Sequence, residues 1–194
     1  MHATAMYISA LSDCDEVMQL KVLITPIFIV LNKCLETGDE LAVAEGLEVF
    51  QECVAMKQPL INDHIEVLIP FVASILQNDS LDAPLKRSAG QTLINIMECR
   101  PKLVAKKQMV APTLHALATI IAHSKESAAG SLFAITDTAH VDKNTEEEDE
   151  DEEVDLQRIA HMCIDVMAVH IPSKYFVDTA LAVCAQVGGC HMCI

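Results

Sequence analysis

An all-α solenoid of stacked helix pairs is the fold this sequence predicts, and two observations predict it. The first is the spacing of proline. Pro26, Pro70 and Pro112 stand in near-equivalent apolar segments, LITPIFIVLNKCL (23–35), VLIPFVASIL (67–76) and MVAPTLHALATII (109–121), 44 and 42 residues apart. A second series, Pro59, Pro101 and Pro172, closes the intervening patterns at intervals of 42 and 71, and the surplus of 29 coincides with one insert containing Glu146–Glu153. The second observation is composition. Apolar residues make up 52% of the 194, aromatics only 4%, with six glycines and no tryptophan. Many aliphatics with few aromatics and few glycines suit helices better than sheets.

A repeat of about 42 residues built from helix pairs is the mark of HEAT or armadillo arrays. The period divides the chain into a lead-in at 1–16, an array at 17–187 and an irregular tail at 188–194. Within the array the pairs fall at about 17–58, 60–103 and 107–171, with a half pair at 173–187, about three and a half in all, and an acidic disordered insert at 124–154. In such arrays each repeat packs only on its neighbours, and function lies on the long surface so formed.

The elements follow in order. Leu20, Leu23, Ile24, Ile27, Phe28, Leu31, Cys34 and Leu35 recur at helical spacing and predict a helix over about 18–35, kinked or begun at Pro26. Gly38 supplies the stop, and Thr37 with Glu40 forms a candidate capping box for the next helix, which runs to about Ala55 on Val43, Leu47, Phe50 and Cys53. Asn62 or Asp63 opens a helix on Ile65, Leu68, Ile69, Val72, Ile75 and Leu76. Asp82 then caps a helix that tolerates Pro84 in its first turn and carries Leu85, Ala89, Leu93, Ile96 and Met97. Val110, Leu114, Leu117 and Ile121 begin the third pair near Gln108. From His123 to Val154 no apolar stripe is present; Asp155 reopens a helix on Leu156, Ile159, Cys163, Val166 and Met167. Ser173 caps a last helix on Phe176, Val177, Ala180, Leu181 and Cys184.

The formal charge of −15 is concentrated: Glu146–Glu153 is eight consecutive acids, leaving −7 for the rest. This balance argues against nucleic acid as a partner, because neutralising phosphates takes clustered Lys and Arg. It points instead to a basic polypeptide. Cys34, Cys53, Cys163 and Cys184 lie on apolar stripes, where cysteine is a small hydrophobe, and the start MHATAMYISALSDCDE has neither the basic region nor the apolar core of a secretory leader. The expected setting is a reduced compartment, cytosolic or nuclear. The apolar runs 22–31 and 109–122 both contain proline and fall short of the ~20 residues a spanning helix needs, so no membrane insertion is expected.

Three segments carry a family resemblance: ELAVAEGLEVFQECVAMKQPLI (40–61), DEEVDLQRIAHMCIDVMAVHIPSKYF (151–176) and the acidic insert preceding the latter. Together with Leu85-Lys86-Arg87-Ser88-Ala89 after Asp82, which is similar to the Asp…Val-Arg-x-x-Ala pattern of HEAT second helices, they resemble the karyopherin-β (importin-β superfamily) nuclear transport receptors over about 17–187. The resemblance implies a superhelix that binds protein cargo with basic nuclear localisation signals, Ran-GTP and nucleoporins, and that moves between cytoplasm and nucleus. It also implies that an acidic loop inside one repeat takes part in cargo binding or release. The candidate residues are Glu146, Glu147, Glu148, Asp149, Glu150, Asp151, Glu152 and Glu153. The run lacks the tryptophan that follows it in some members, and the chain holds three and a half repeats where a full receptor holds about twenty.

The bland readings stand beside these. An acidic run is also what a self-repelling solvated tether looks like. A HEAT array of another kind, organising a multi-subunit complex, fits the same period. Cys190-His191-Met192-Cys193 is half a zinc site at most, since four ligands are needed. No phosphate loop, GxSxG or His-Glu-x-x-His is present, so no enzyme and no cofactor is expected. His115 and His170 read as partly buried helix residues, and Met56, Met97, Met109 and Met167 as pliable core. An array cut within a repeat should also leave apolar ends, with Leu20, Leu23 and Ile27 at one and Phe176, Val177, Ala180 and Leu181 at the other.

Overall fold

The structure, a computed structural model, describes residues 6, 15–133 and 143–189, with side chains at 6, 18–122 and 156–186. Eight α-helices lie among the described residues: α1 Lys21–Thr37, α2 Glu40–Ala55, α3 Ile65–Leu76, α4 Ala83–Cys99, α5 Pro101–Lys106, α6 Val110–Phe133, α7 Lys143–His170 and α8 Ser173–Gly189. Short 3-10 segments, Asp15–Leu20 and Asn62–His64, lead into α1 and α3, and no strand occurs among the described residues. Helices α1/α2, α3/α4 and α6/α7 form the pairs, and α8 opens a fourth. The second helices stack in series, α2 on α4 and α4 on α7, while α8 packs on α6. This is an all-α HEAT-like solenoid.

Three sets of buried residues fix the repeat register on the second helices: Leu47, Gly90 and Ala160; Phe50, Leu93 and Cys163; Val54, Met97 and Met167. Each set is spaced by 43 and then 70 residues. On the first helices Pro26 and Pro70 are the sixth residues of α1 and α3, and Pro112 is the third of α6. All three prolines are exposed, and Pro112, in the first turn of α6, displaces no helical hydrogen bond.

The α1–α2 junction departs from the sequence expectation. Gly38 ends α1 at φ 75° as expected, its N–H donating to the carbonyls of Cys34 and Leu35. Asp39, however, caps α2, accepting from Ala42 N–H at 3.2 Å. Thr37 Oγ1 donates back to the carbonyls of Lys33 and Cys34, at 3.0 and 3.1 Å, and Glu40 accepts from Asp82 N–H at 3.0 Å in the next repeat. The left-handed turn at Gly38 places Asp39, the better capping residue, where the helix starts.

The insert also differs. Helix α6 runs on to Phe133 and α7 begins at Lys143 rather than Asp155, so residues 124–133 and 143–154 have helical backbone; residues 134–142 lie outside the described residues. An apolar stripe reports packing, and its absence does not stop a run rich in Glu, a good helix former, from being helical. The extra helix α5, which starts at Pro101, was not legible as a helix; Gln108, at φ 58°, ends it with Met109 N–H donating to the carbonyl of Val104 at 3.0 Å.

Met18–Thr37 is, by length and composition, apolar enough to cross a membrane, with mean hydropathy 1.5, contrary to the expectation that every apolar run is too short. The stretch passes because the 3-10 segment continues into α1 with few charges. Ile24, Phe28 and Leu31 turn inward on α2 as solenoid core, and Phe28 stacks on Phe50 with centroids 4.5 Å apart. His115 and His170 are exposed, not partly buried, because one lies on the outer face of α6 and the other in the last turn of α7. Met56, Met97 and Met167 are core, with Met109 half-buried against it.

Candidate partner-binding surface

Polar ties one period long hold the repeats in register. Lys21 pairs with Asp63, and Lys107 with Glu66 at 2.6 Å. Gln51 Nε2 donates to Thr92 Oγ1 at 3.0 Å, and Arg100 Nη2 donates to the carbonyls of Met56 and of Gln58, the latter at 3.2 Å. Together with Glu40–Asp82, the partners are separated by 41 to 44 residues. Exposed ion pairs contribute at most ~1 kcal/mol each. Their effect is to fix which repeat position meets which.

The same register defines the solvent side of the second helices. Glu45, Glu48 and Glu52 on α2 correspond to Ser88, Gln91 and Asn95 on α4 and to Arg158, His161 and Asp165 on α7, all exposed or half-buried. The acidic stripe on α2 was missed in the sequence reading, although its spacing of three and four residues was there to find.

Helix α7 has 28 residues against 16 in α2 and 17 in α4. By the 70-residue register, Ala83 at the start of α4 matches Glu153, so the surplus of α7 is at its N-terminal end. Residues 143–152 therefore extend about 15 Å beyond the repeat, at 1.5 Å per residue. Glu146, Glu147, Glu148, Asp149, Glu150, Asp151, Glu152 and Glu153 all fall there or at its edge; their side chains lie outside the described residues. The structure thus gathers the eight on one helical segment, at the N-terminal end of α7, the second helix of the third pair.

The cysteines on the stripes are core. Burial pushes the thiols of Cys53 and Cys163 up to about 12, with the charge of Glu52 adding to the effect at Cys53. Cys163 Sγ points at the carbonyl of Gly90, 3.8 Å away. Neither is poised as a ligand or nucleophile. Cys190 and Cys193 lie outside the described residues.

No known family profile matches the chain. Importin-4 of Mus musculus is 25% identical over 165 residues, covering 82% of this chain and 14% of the relative. Importin-4 of Homo sapiens is 23% identical over 164 residues, with the same coverage. The crystal structure of Kap121p bound to RanGTP superposes with a TM-score of 0.75 over 95% of this chain, at 20% identity, and that of Kap121p itself with 0.73 over 93%. The fold is that of a karyopherin HEAT-repeat segment. As such the karyopherin-like array spans about one seventh of the curated relatives it matches, and 17% of each Kap121p chain. One comparison on sequence finds likeness to importin-4, and one on shape finds likeness to the fold of Kap121p.

Proposed function

We propose that this chain is a segment of a nuclear import receptor, one that binds protein cargo bearing basic nuclear localisation signals and works between cytoplasm and nucleus. The observation that carries this reading is the acidic extension of α7 within an array similar to importins over 82% of its length. Eight adjacent carboxylates can engage several lysines of one flexible peptide, and the contact is then multivalent, although a single exposed pair is worth about 1 kcal/mol in water. Ran-GTP is the second proposed partner, on the strength of the RanGTP-bound Kap121p likeness, and nucleoporins the third. The chain would act by binding alone, without catalysis.

The test is affinity for a lysine-rich peptide with and without Ran-GTP. The reading expects binding that Ran-GTP weakens. Peptide binding that ignores Ran-GTP would favour the second reading, a HEAT scaffold organising other subunits, which the inter-repeat ties accommodate equally well.

A further inference from the structure

We infer that Lys57, Lys102 and Lys106, grouped around Arg100, form a docking surface for an extended acidic segment of a partner protein. The surface lies at the edge of the solenoid away from the acidic extension of α7. Junctions between pairs line one edge, tied together by Arg100 to Met56 and Gln58 and by Lys107 to Glu66. Turns within pairs line the other, tied by Glu40 to Asp82. The two edges differ in sign. Junctions 56–64, 100–109 and 170–174 hold six of the chain's thirteen lysines and arginines, and their one acid, Asp63, is held by Lys21. Turns 38–39 and 77–82 hold Asp39, Asp79 and Asp82 without a base, and residues 143–153 hold eight acids against Lys143.

Hydrogen bonds join the patch. Arg100 Nη2 donates to the carbonyls on either side of Lys57, those of Met56 and Gln58, and so seats Lys57 beside the start of α5. Lys102 and Lys106 stand one turn apart on α5 and share a face. Lys57, Lys102 and Lys106 are exposed and engaged in no ion pair among the described residues, whereas Lys107 is already held by Glu66. Helix dipoles do not call for these charges. First helices begin and second helices end on this edge, so their opposite partial charges offset one another. The net charge of −15 does not repel an acidic partner here either. The 17 residues of α4 put the acidic turns about 25 Å away, roughly three screening lengths at physiological salt. With second helices 8–10 Å apart and Lys102 about 6 Å from Lys106, the patch is about 15 Å long. That is the reach of about five extended residues. A nucleic acid would need the positive strip to continue, but Glu52 and Glu98, in the last turns of α2 and α4, border it. The chain's own eight acids cannot fold back onto it, because the extension of α7 leads away from this edge.

The experiment is fluorescence anisotropy of a labelled hexaglutamate peptide titrated with the 194-residue chain over a salt series, with circular dichroism of each variant. The expected result is salt-sensitive binding by the parent. Lys57→Gln, Lys102→Gln and Lys106→Gln together should weaken it roughly tenfold with helical content unchanged. Lys33→Gln, Lys86→Gln and Lys143→Gln together change the net charge equally and should leave the affinity as in the parent. A parent that does not bind the peptide overturns the inference, and so does an equal loss in the control variant. Tighter binding of a single-stranded oligonucleotide of the same charge, lost in the first variant, would make the occupant a nucleic acid and also overturns it. So does a roughly tenfold gain in peptide affinity when Glu146–Glu153 are changed to Ser, which would mean that a second copy's acidic extension holds the patch.

Discussion

Gly90 of α4 lies directly beneath Ile159 of α7: a Cβ built at position 90 would stand 2.3 Å from Ile159 Cγ2, far inside contact distance. Cγ2 sits on a branched carbon close to its own backbone and cannot swing away as a flexible tip would. Glycine at 90 is therefore what lets the second and third repeats close. Gly90→Val should cost about 2–3 kcal/mol by overpacking, and Gly90→Ala less, because alanine recovers up to ~1 kcal/mol of helix propensity. Urea unfolding checks this; a Gly90→Val chain as stable as the parent would mean that α4 and α7 do not meet here.

Arg100 is the second joint. Its guanidinium holds the carbonyls of Met56 and Gln58 from one repeat further on, closing the link between α2 and α3. Arg100→Ala should lose roughly 1–3 kcal/mol, since it leaves acceptors unpaired in a half-buried site. The expected signature is a lower urea midpoint with the slope unchanged; a midpoint equal to that of the parent would remove Arg100 from the account.

The thiols should divide by burial. Cys99 and Cys184 are exposed, whereas Cys53 and Cys163 are buried with thiols near 12. At neutral pH the buried pair should alkylate roughly a thousandfold more slowly than an ordinary exposed thiol, from the thiolate fraction alone. Peptide mapping by mass spectrometry after a timed exposure reads the order. Early labelling at Cys163 would show that the α4–α7 contact opens in solution.

Lys21 holds the carboxyl of Asp63 below its ordinary 3.8, first through their hydrogen bond and then through its charge. A lowered folded value means that the tie is at full strength above the unfolded value and is lost as pH falls through the folded one. The loss of this inter-repeat contact therefore belongs below pH 3.8. In a carboxyl NMR titration, Lys21→Met should raise the Asp63 midpoint towards its ordinary value; an unmoved midpoint would show that the pair does not form.

Much of the array was legible because its signals are local or periodic. Pro26, Pro70 and Pro112 and the stripes through Phe28, Phe50 and Leu93 gave helix order, pairing and period. What was not legible depends on contacts between repeats. Glu40 looked like half of a capping box but reaches Asp82, and nothing local marks Gly90 as the close approach to Ile159. The helix under Glu146–Glu153 was missed for a different reason: it extends past the packed repeat and so has no apolar stripe to announce it.

The proposed recognition of basic cargo by the acidic extension of α7 is read out by a salt titration of lysine-rich peptide affinity. The comparison is between the parent chain and a variant with all of Glu146–Glu153 changed to Ser or Gly. The expected result is tight, steeply salt-dependent binding by the parent and weak, flat binding by the variant, because exposed charge pairs are what salt screens. Superimposable curves would contradict it, leaving the eight acids a solvated extension with no part in recognition.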